Sequence, residues 1–188
     1  SRLAAGFAYL AAADNEKYAI SLFCKKLYPG EPKRGRRSLF QSIEDLDAIK
    51  PHGTTSHKAV ADQMDSLLKS TSLVVLISDL LGETEDVLYS IYRLAGHELV
   101  IIQVLAPSEM ELDYKGDIKF MNPEGGEPVI TRITEAERSE YLKKLSQHNH
   151  QIQEACTQVG ADYFLFSSDR PVFDAFSEML SRAVVWKA

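Results

Sequence analysis

The amino-acid sequence predicts an α/β fold of three layers, with a mainly parallel sheet between helices on both faces. Short apolar runs alternate along the chain with segments whose apolar residues recur at the helical period, which is typical of this class. The runs "LVVLIS" (Leu73–Ser78) and "ELVIIQVL" (Glu98–Leu105) stay apolar without alternation, so we expect strands that are covered on both faces. A chain of 188 residues has the length of one domain, and we predict a single domain over 1–188.

The helices are predicted from apolar spacing and from capping residues. A helix opens the chain on Leu3 and Phe7, and Pro51 stops the second helix. Thr134 and Glu137 form a capping box, and Gly160 ends the helix that they open. In chain order, the predicted helices lie at 3–11, 39–49, 60–68, 87–95, 135–159 and 172–183.

Two further apolar segments complete the predicted sheet. The segment "KYAISLFCKKLY" (17–28) is predicted as a strand, and "ADYFLFSS" (161–168) as the last strand. The segment "DIKFMNPEGGEPVITR" (117–132) breaks the alternation of strands and helices, because two strand-like runs flank Gly125 and Gly126. It predicts a β-hairpin insert.

The opening element is unusual for this class. A three-layer α/β domain normally opens with a strand at the centre of the sheet, whereas this sequence opens with the helix near Arg2. Either the sheet is unusual, or the chain lacks its central first strand. Unpaired strand edges are costly when buried and adhesive when exposed, so we expect another chain, another segment or an altered strand order to fill the gap. Dimerisation through the exposed sheet edges is one way to fill it.

Composition excludes several classes of partner. The formal net charge is −6, which argues against nucleic-acid binding, and the short basic run "KRGRR" (33–37) is interpreted as a solvated loop. No apolar run approaches the roughly 18 residues of a membrane helix, so we expect no membrane contact by this chain and a cytoplasmic location. Cys24 and Cys156 are interpreted as small buried hydrophobic residues of a reducing compartment.

Asp79 is the first candidate site residue, because it directly follows a strand. Ligand sites of parallel sheets lie beyond the carboxyl ends of the strands. One interpretation is that Asp79 caps free N–H groups of the helix that follows. The other is that its carboxylate is an oxygen ligand for a hard cation such as Mg²⁺, which needs further oxygens nearby.

The second candidate is the loop "HGTTSHKAV" (52–60), which carries hydroxyl groups where a helix begins. Thr54 or Thr55 either caps this helix or completes a magnesium shell beside Asp79, since the order of elements lets the two loops meet at one sheet edge. His148 and His150 lie two apart on a helix. They therefore face nearly opposite sides and cannot chelate one metal ion.

Motifs for catalysis are missing from the sequence. It contains no G-x-S-x-G elbow, Walker lysine loop, G-x-G-x-x-G or H-E-x-x-H. The enzyme alternative is a metal-dependent hydrolase or phosphoryl-transfer enzyme that uses Asp79, with Asp162 or Asp169 as a second carboxylate. A third interpretation is a purely structural subdomain in which Thr54 and Asp79 only cap helices.

The order of several blocks resembles a known family. These blocks are "SLVVLISDLLGETEDVLYSIYRLAGHELVIIQVLAPSEMEL", "KRGRRSLFQSIEDL", the glycine–threonine loop, the hairpin insert and "ADYFLFSSDRPVFDAF". They resemble the bacterial domain-of-unknown-function family whose carboxyl-terminal half is a von Willebrand factor type A-like domain. The resemblance covers nearly the whole chain and implies the same three-layer fold, which is related to Rossmann-like sheets.

The resemblance also implies a metal-ion-dependent adhesion site. Von Willebrand type A domains build this site from an Asp-x-Ser-x-Ser loop after the first strand, a threonine and a strand-end aspartate. By resemblance, Thr54 is the threonine, Thr55 is its neighbouring candidate, and Asp79 is the aspartate. The Asp-x-Ser-x-Ser loop has no counterpart here, so the domain is expected to be amino-terminally truncated and to bind magnesium weakly or not at all.

The function that the resemblance implies is that of a non-enzymatic protein-interaction module. Its expected partner is a MoxR-type AAA+ ATPase. Full-length relatives usually carry membrane helices, so the resemblance also implies that the chain is the cytoplasmic part of a membrane-anchored protein.

Overall fold

The computed structural model describes residues 2–47, 55–112, 117–120, 129–132 and 134–182. The helices of this part of the chain are α1 (Arg2–Ala13), α2 (Arg36–Asp47), α3 (His57–Leu67), α4 (Thr84–Arg93), α5 (Pro107–Glu111), α6 (Glu135–Val159) and α7 (Val172–Arg182). The strands are β1 (Lys17–Tyr18), β2 (Leu22–Phe23), β3 (Leu27–Tyr28), β4 (Lys33–Arg34), β5 (Leu73–Ser78), β6 (Glu98–Leu105), β7 (Asp117–Phe120), β8 (Val129–Arg132) and β9 (Asp162–Ser167).

A parallel sheet carries the core, with its strands in the order β5-β6-β9. Leu73 of β5 lies opposite Glu98 of β6, and Val100 of β6 lies opposite Asp162 of β9. The carboxyl ends of these strands therefore meet at one edge, where the ligand sites of α/β proteins lie. The predicted parallel sheet is confirmed.

Strand β6 shows why helices cover both faces of the sheet. Its successive side chains point to opposite faces, and Ile101 on one face is as fully buried as Val100 and Ile102 on the other. Helices α3, α4 and α6 pack on the face of Ile101, whereas α1 and α7 pack on the other. The three-layer prediction is confirmed.

Strand β5 has the composition of a central strand and the position of an edge strand. Leu73 is 42% exposed, and the other residues of β5 are half-buried. Within the described residues, no strand pairs with β5 on the side away from β6. Among the described residues, β5 thus has no partner on the side where the central first strand was predicted to be missing. The expected full burial of β5 is wrong, because one side of the strand is open.

The prediction of one strand over 17–28 is wrong. This segment forms β1, β2 and β3, which pair antiparallel in two small sheets, β1 with β4 and β2 with β3. A tight turn is the cause: the Cys24 amide donates to the Lys26 carbonyl oxygen at 3.1 Å, and Phe23 pairs with Leu27. Closing so short a loop costs less conformational entropy than pairing with a distant strand.

Local sequence signals for the ends of α6 are confirmed. Glu137 Oε2 accepts a hydrogen bond from the Thr134 amide at 2.8 Å, and Thr134 Oγ1 accepts one from the Glu137 amide at 3.2 Å. The bond from the Thr134 amide lowers the pKa of Glu137. Gly160 ends the helix in the left-handed conformation, with φ of 72°.

The hairpin insert is also confirmed, since β7 pairs antiparallel with β8. Its expected turn at Gly125 and Gly126 lies outside the described residues.

The two cysteines lie in different surroundings. Cys156 is buried in the core on the α6 side, which raises the pKa of its thiol to about 12. Cys24 is only half-buried, because it lies in the turn between β2 and β3. Both are free thiols. The prediction of a buried cysteine is therefore confirmed for Cys156 and wrong for Cys24.

Helix α7 offers a direct test of which residues hold the sheet. Met179 is fully buried, whereas Phe173 on the same helix is 82% exposed. We expect Met179→Ala to lower the free energy of unfolding by about 2–5 kcal/mol, because it leaves a cavity against the sheet. The control Phe173→Ala should change it by less than about 0.5 kcal/mol. Urea unfolding followed by circular dichroism measures both, and equal losses would contradict this packing.

Candidate functional site

The candidate site is built on the strand-end loop, defined as residues 78–81, which follows β5. Leu80 has a left-handed backbone with φ of 55°, and its side chain is 1% exposed. A left-handed conformation costs a non-glycine residue roughly 1–2 kcal/mol. Burial of the Leu80 side chain in the core offsets this cost, and so do hydrogen bonds to the loop from other elements.

A buried amide ties the strand-end loop to the centre of the sheet. Gln103 of β6 has no exposed surface, and its Nε2 donates to the Asp79 carbonyl oxygen at 2.9 Å. Its Oε1 accepts from the Tyr163 hydroxyl of β9 at 2.6 Å. Burial raises the pKa of Tyr163, so this hydroxyl keeps its proton and donates. The three strands are thereby joined to one another through a buried side chain whose nitrogen and oxygen both have hydrogen-bond partners.

A histidine holds the loop from the side of α6. His148 Nε2 lies 2.7 Å from the Leu80 carbonyl oxygen, and Nδ1 lies 2.7 Å from the Thr84 hydroxyl oxygen. A carbonyl oxygen only accepts, so Nε2 carries a proton and donates. His150 instead has a 68% exposed side chain, 3.4 Å from Glu154. The two histidines thus have different partners, as their spacing predicts.

His57 contacts the loop from α3. Its ring is buried, and its Nε2 lies 3.4 Å from Ser78 Oγ. Gly82 allows this approach, because a β-carbon there would lie 3.2 Å from His57 Nδ1. Burial lowers the pKa of His57, against the opposing effect of the Asp79 and Asp86 charges. The ring is therefore neutral at neutral pH.

Asp79 carries the exposed carboxylate of this framework. Its Oδ1 accepts from the Leu81 amide at 3.2 Å and from the Ser78 hydroxyl at 3.4 Å. The interpretation that Asp79 caps the next helix is wrong, because Glu83 occupies the N-cap position of α4 and the cap has no side-chain hydrogen bond. Asp79 instead closes a turn within the loop, as aspartate commonly does.

The threonine loop is described only in part. Thr55 is exposed just before α3, and Thr54 lies outside the described residues. The interpretation that either threonine caps α3 is wrong, because Ser56 does so: its Oγ accepts from the Ala59 amide at 3.5 Å. The His57–Ser78 contact brings the start of α3 to the end of β5. Thr55 lies two residues before His57, and Asp79 directly follows Ser78. Both candidate ligands are therefore close along the chain to the two residues that are in contact.

The predicted magnesium site would take its oxygens from these residues. In the part of the chain that the structure describes, no three His, Cys, Asp or Glu side chains cluster as ligands. Mg²⁺ needs six oxygens but commonly keeps several waters and binds through one or two carboxylates. A weak site of this kind would need the Asp79 carboxylate, a hydroxyl such as that of Thr55, and water.

The carboxylates considered for the enzyme alternative do not lie beside Asp79. Asp162 begins β9, so it lies at the opposite end of the parallel sheet. Asp169 follows the carboxyl end of β9, where its Oδ1 accepts from the Ser167 hydroxyl. Because β6 separates β9 from β5, these strand ends are about 10 Å apart, too far for the two carboxylates to share one ion.

A groove of about 860 Å³ lies between the strand-end loop and α6. Leu81 of the loop, which is 41% exposed, lines one side of the groove together with Gly82 and with Thr84 at the start of α4. Lys144 and Glu154 of α6 bring charges of both signs to the other side. The strand-end loop thus borders a wide, mixed surface rather than an enclosed pocket.

The fold and site define a class of protein: a three-layer α/β domain, with a parallel sheet between helices and an aspartate in a strand-end loop. The family model described as "Protein of unknown function DUF58" matches residues 1–151. The chain therefore belongs to the DUF58 family, and the resemblance found in the sequence is confirmed.

Two solved structures are similar over most of their length. The conserved hypothetical protein BatB from Bacteroides thetaiotaomicron matches with a TM-score of 0.58 and 13% identity, over 96% of this chain and 84% of that chain. An aerotolerance-related membrane protein from Bacteroides fragilis NCTC 9343, with multiple mutations to serines, matches with a TM-score of 0.52 and 14% identity, over 96% and 87%. At these identities the likeness shows the fold alone. Among curated proteins nothing matches.

A search of the described helices for membrane spans finds none that is both long enough and apolar enough.

Gln103, Tyr163 and His148 shape the site but were missed in the sequence. Gln103 did carry a signal, since it is the polar residue inside the apolar run of β6. A polar side chain buried there needs partners, and the end of a neighbouring strand is where they occur. His148 carried no such signal, because its partners lie 64 and 68 residues away in sequence.

The Gln103 bridge gives a stability prediction. Gln103→Leu should lower the free energy of unfolding by about 1–3 kcal/mol, because it leaves the Asp79 carbonyl and the Tyr163 hydroxyl without their partner. The matched control Gln153→Leu changes an exposed residue of α6 and should cost less than about 0.5 kcal/mol. Chemical denaturation measures both variants. A Gln103→Leu protein as stable as the control would show that the bridge contributes nothing.

His57 gives a pH prediction. Its folded-state pKa lies below the ordinary value of 6.5, so the unfolded chain binds a proton more readily than the folded chain. This contribution to stability is present above pH 6.5 and is lost as the pH falls below it. Urea unfolding at several pH values measures this effect. The free energy of unfolding should fall less steeply with decreasing pH for His57→Gln than for the wild type. The control His150→Gln, at an exposed position, should keep the wild-type dependence of the free energy of unfolding on pH. The same pH dependence in both variants would contradict the role of His57.

Proposed function

We propose that this chain is a non-enzymatic protein-interaction module that binds its partner around the strand-end loop. The observation that supports this is the contrast between Asp79 and its surroundings. The loop backbone is fixed by Gln103, His148 and a buried Leu80, while the Asp79 carboxylate is exposed. A fixed loop that presents a charge loses little conformational entropy on binding. The distance to Asp162 and Asp169 argues against the enzyme alternative.

The proposal includes a weak, metal-assisted contact. Asp79 and the hydroxyls of Thr55 and Thr54 would supply the oxygens of this chain to Mg²⁺, and a carboxylate of the partner would supply another. The metal would bridge two negatively charged groups that otherwise repel each other. A site with one carboxylate from this chain should have low affinity until the partner adds its own.

The proposed partner is a MoxR-type AAA+ ATPase, and the proposed location is the cytoplasmic side of a membrane-anchored protein. Membership of DUF58 and the resemblance to von Willebrand type A domains support this choice. A similar structure is that of a protein described as an aerotolerance-related membrane protein, which supports a membrane-anchored parent. The net charge of −6 favours protein partners over nucleic acid.

Calorimetric titration with Mg²⁺ and Mn²⁺ tests the metal contact. We expect weak binding that disappears in Asp79→Ala, because this variant removes the carboxylate. Asp169→Ala is the matched control, since Asp169 is also a strand-end carboxylate but lies two strands away. It should bind metal as the wild type does. Equal binding by both variants would contradict the site.

Binding to an immobilised MoxR-type ATPase tests the module itself. The wild type should bind more tightly with Mg²⁺ than with EDTA, and Asp79→Ala should bind equally weakly in both. Phe173→Ala changes an exposed residue of α7 and should leave binding unchanged. If the wild type does not bind in either buffer, the proposed partner is wrong.

A further inference from the structure

Four exposed cations lie together where β4 meets α2. Strand β1 pairs antiparallel with β4, so that Lys17 lies directly opposite Arg34. Gly35, with φ of 79°, then joins β4 to α2, whose first two residues are Arg36 and Arg37. All four cations are exposed. We call Lys17, Arg34, Arg36 and Arg37 the basic patch.

The neighbours of these cations fix the direction in which the small sheet presents them. Tyr18, which follows Lys17 on β1, packs partly buried against the cluster that contains Ala8 and Ala12 of α1. Successive side chains of a strand point to opposite faces, so Lys17 points away from this cluster. Its cross-strand partner Arg34 shares that outward face. The basic run therefore belongs to the outer surface of a folded element and is more than a solvated loop.

An exposed aromatic ring lies beside the basic patch on α2. Phe40 is 70% exposed, whereas its neighbour Leu39 is 6% exposed and lies in the cluster with α1. Residues three and four apart share a face of a helix, so Phe40 follows Arg36 and Arg37 on the outer face of α2. Aromatic rings beside lysine and arginine are the combination that holds proteins at the boundary between membrane and water.

The charges of the basic patch are unfavourable for the chain by itself. Arg36 and Arg37 lie in the first turn of α2, where the helix dipole is positive, and that turn contains no acidic residue. Lys17 and Arg34 are like charges at directly opposite cross-strand positions, which also destabilises. Within the described residues none of the four forms an ion pair. An anionic partner would relieve both repulsions.

We propose that the basic patch and Phe40 dock this domain on an anionic membrane surface, with the four cations at the phosphate headgroups and the Phe40 ring between the lipids. Such a contact needs no spanning helix. It rests on the proposed location at the cytoplasmic side of a membrane, where anionic lipids attract nearby cations. A soluble anion would match the charges but leave the ring in water. Nucleic acid is disfavoured by the net charge of −6.

Co-sedimentation with vesicles, in EDTA, tests the docking. The chain should bind vesicles of equal parts phosphatidylglycerol and phosphatidylcholine, should not bind vesicles of phosphatidylcholine alone, and should be released as the salt concentration rises. Arg36→Ala and Arg37→Ala should each lower the partition coefficient about fivefold, because each removes one cation from the surface contact. The matched control Lys143→Ala removes an exposed cation of α6 and should bind as the wild type does.

The Phe40→Ala variant tests the insertion of the ring. It should lower the partition coefficient on the anionic vesicles about tenfold, because it removes buried apolar area. It should keep the wild-type salt dependence, because it removes no charge. The control Phe173→Ala removes an exposed ring from α7 and should change neither quantity.

Thermal unfolding separates lost docking from lost structure. Because Arg36 and Arg37 oppose the helix dipole, their alanine variants should unfold at the wild-type temperature or above it. Weaker vesicle binding by these variants then reports the contact itself.

Four results would overturn the proposal. They are no binding to anionic vesicles, equal binding to the two kinds of vesicle, wild-type binding by both arginine variants, and wild-type binding by Phe40→Ala. Binding to polyglutamate in place of vesicles would identify an acidic protein as the occupant. The assay contains neither metal nor ATPase, and the basic patch shares no residue with the strand-end loop, so failure here is distinct from failure of the proposed function.

Discussion

The position of β6 between two parallel strands is the constraint on which the rest of this structure depends. Because β6 is paired on both sides and apolar on both faces, it is stable only when helices cover both faces of the sheet. That requirement produces the three layers. The same pairing brings the ends of β5 and β9 to one edge and places Gln103 between Asp79 and Tyr163. The core and the candidate site therefore share one physical origin.

Features that depend on neighbouring residues could be predicted from the sequence. The capping box of Thr134 and Glu137 and the left-handed end of α6 at Gly160 follow from contacts within a few residues. The strand over 17–28 could not be predicted, because its β-forming residues fit either a long strand or a local hairpin. The Cys24–Lys26 turn decides between these, and its advantage is the small entropy of loop closure. Apolar patterning does not contain that information.

The candidate site also combines features that neighbouring residues determine with features that depend on contacts between distant residues. The sequence placed Asp79 at the carboxyl edge, because that placement needs only a strand, its direction and the residue that follows. It did not reveal that Gln103 and His148 hold the loop, since these contacts span 24 and 68 residues. It left helix capping open as a role for Thr54, Thr55 and Asp79, whereas Ser56 caps α3 and Asp79 closes its own turn. Hydroxyl and carboxylate groups suit several local roles, and only packing decides which is used.

The open edge of β5 and the incomplete site at its end are two aspects of one feature. Asp79 directly follows β5, so a strand that adds to this edge ends or begins about 4.8 Å from the strand that carries Asp79. Residues at the end of the added strand would then approach the exposed Asp79 carboxylate. With oxygen-bearing side chains there, it gains the ligands that Mg²⁺ needs. The segment that pairs with this edge would thus determine which groups surround the Asp79 carboxylate.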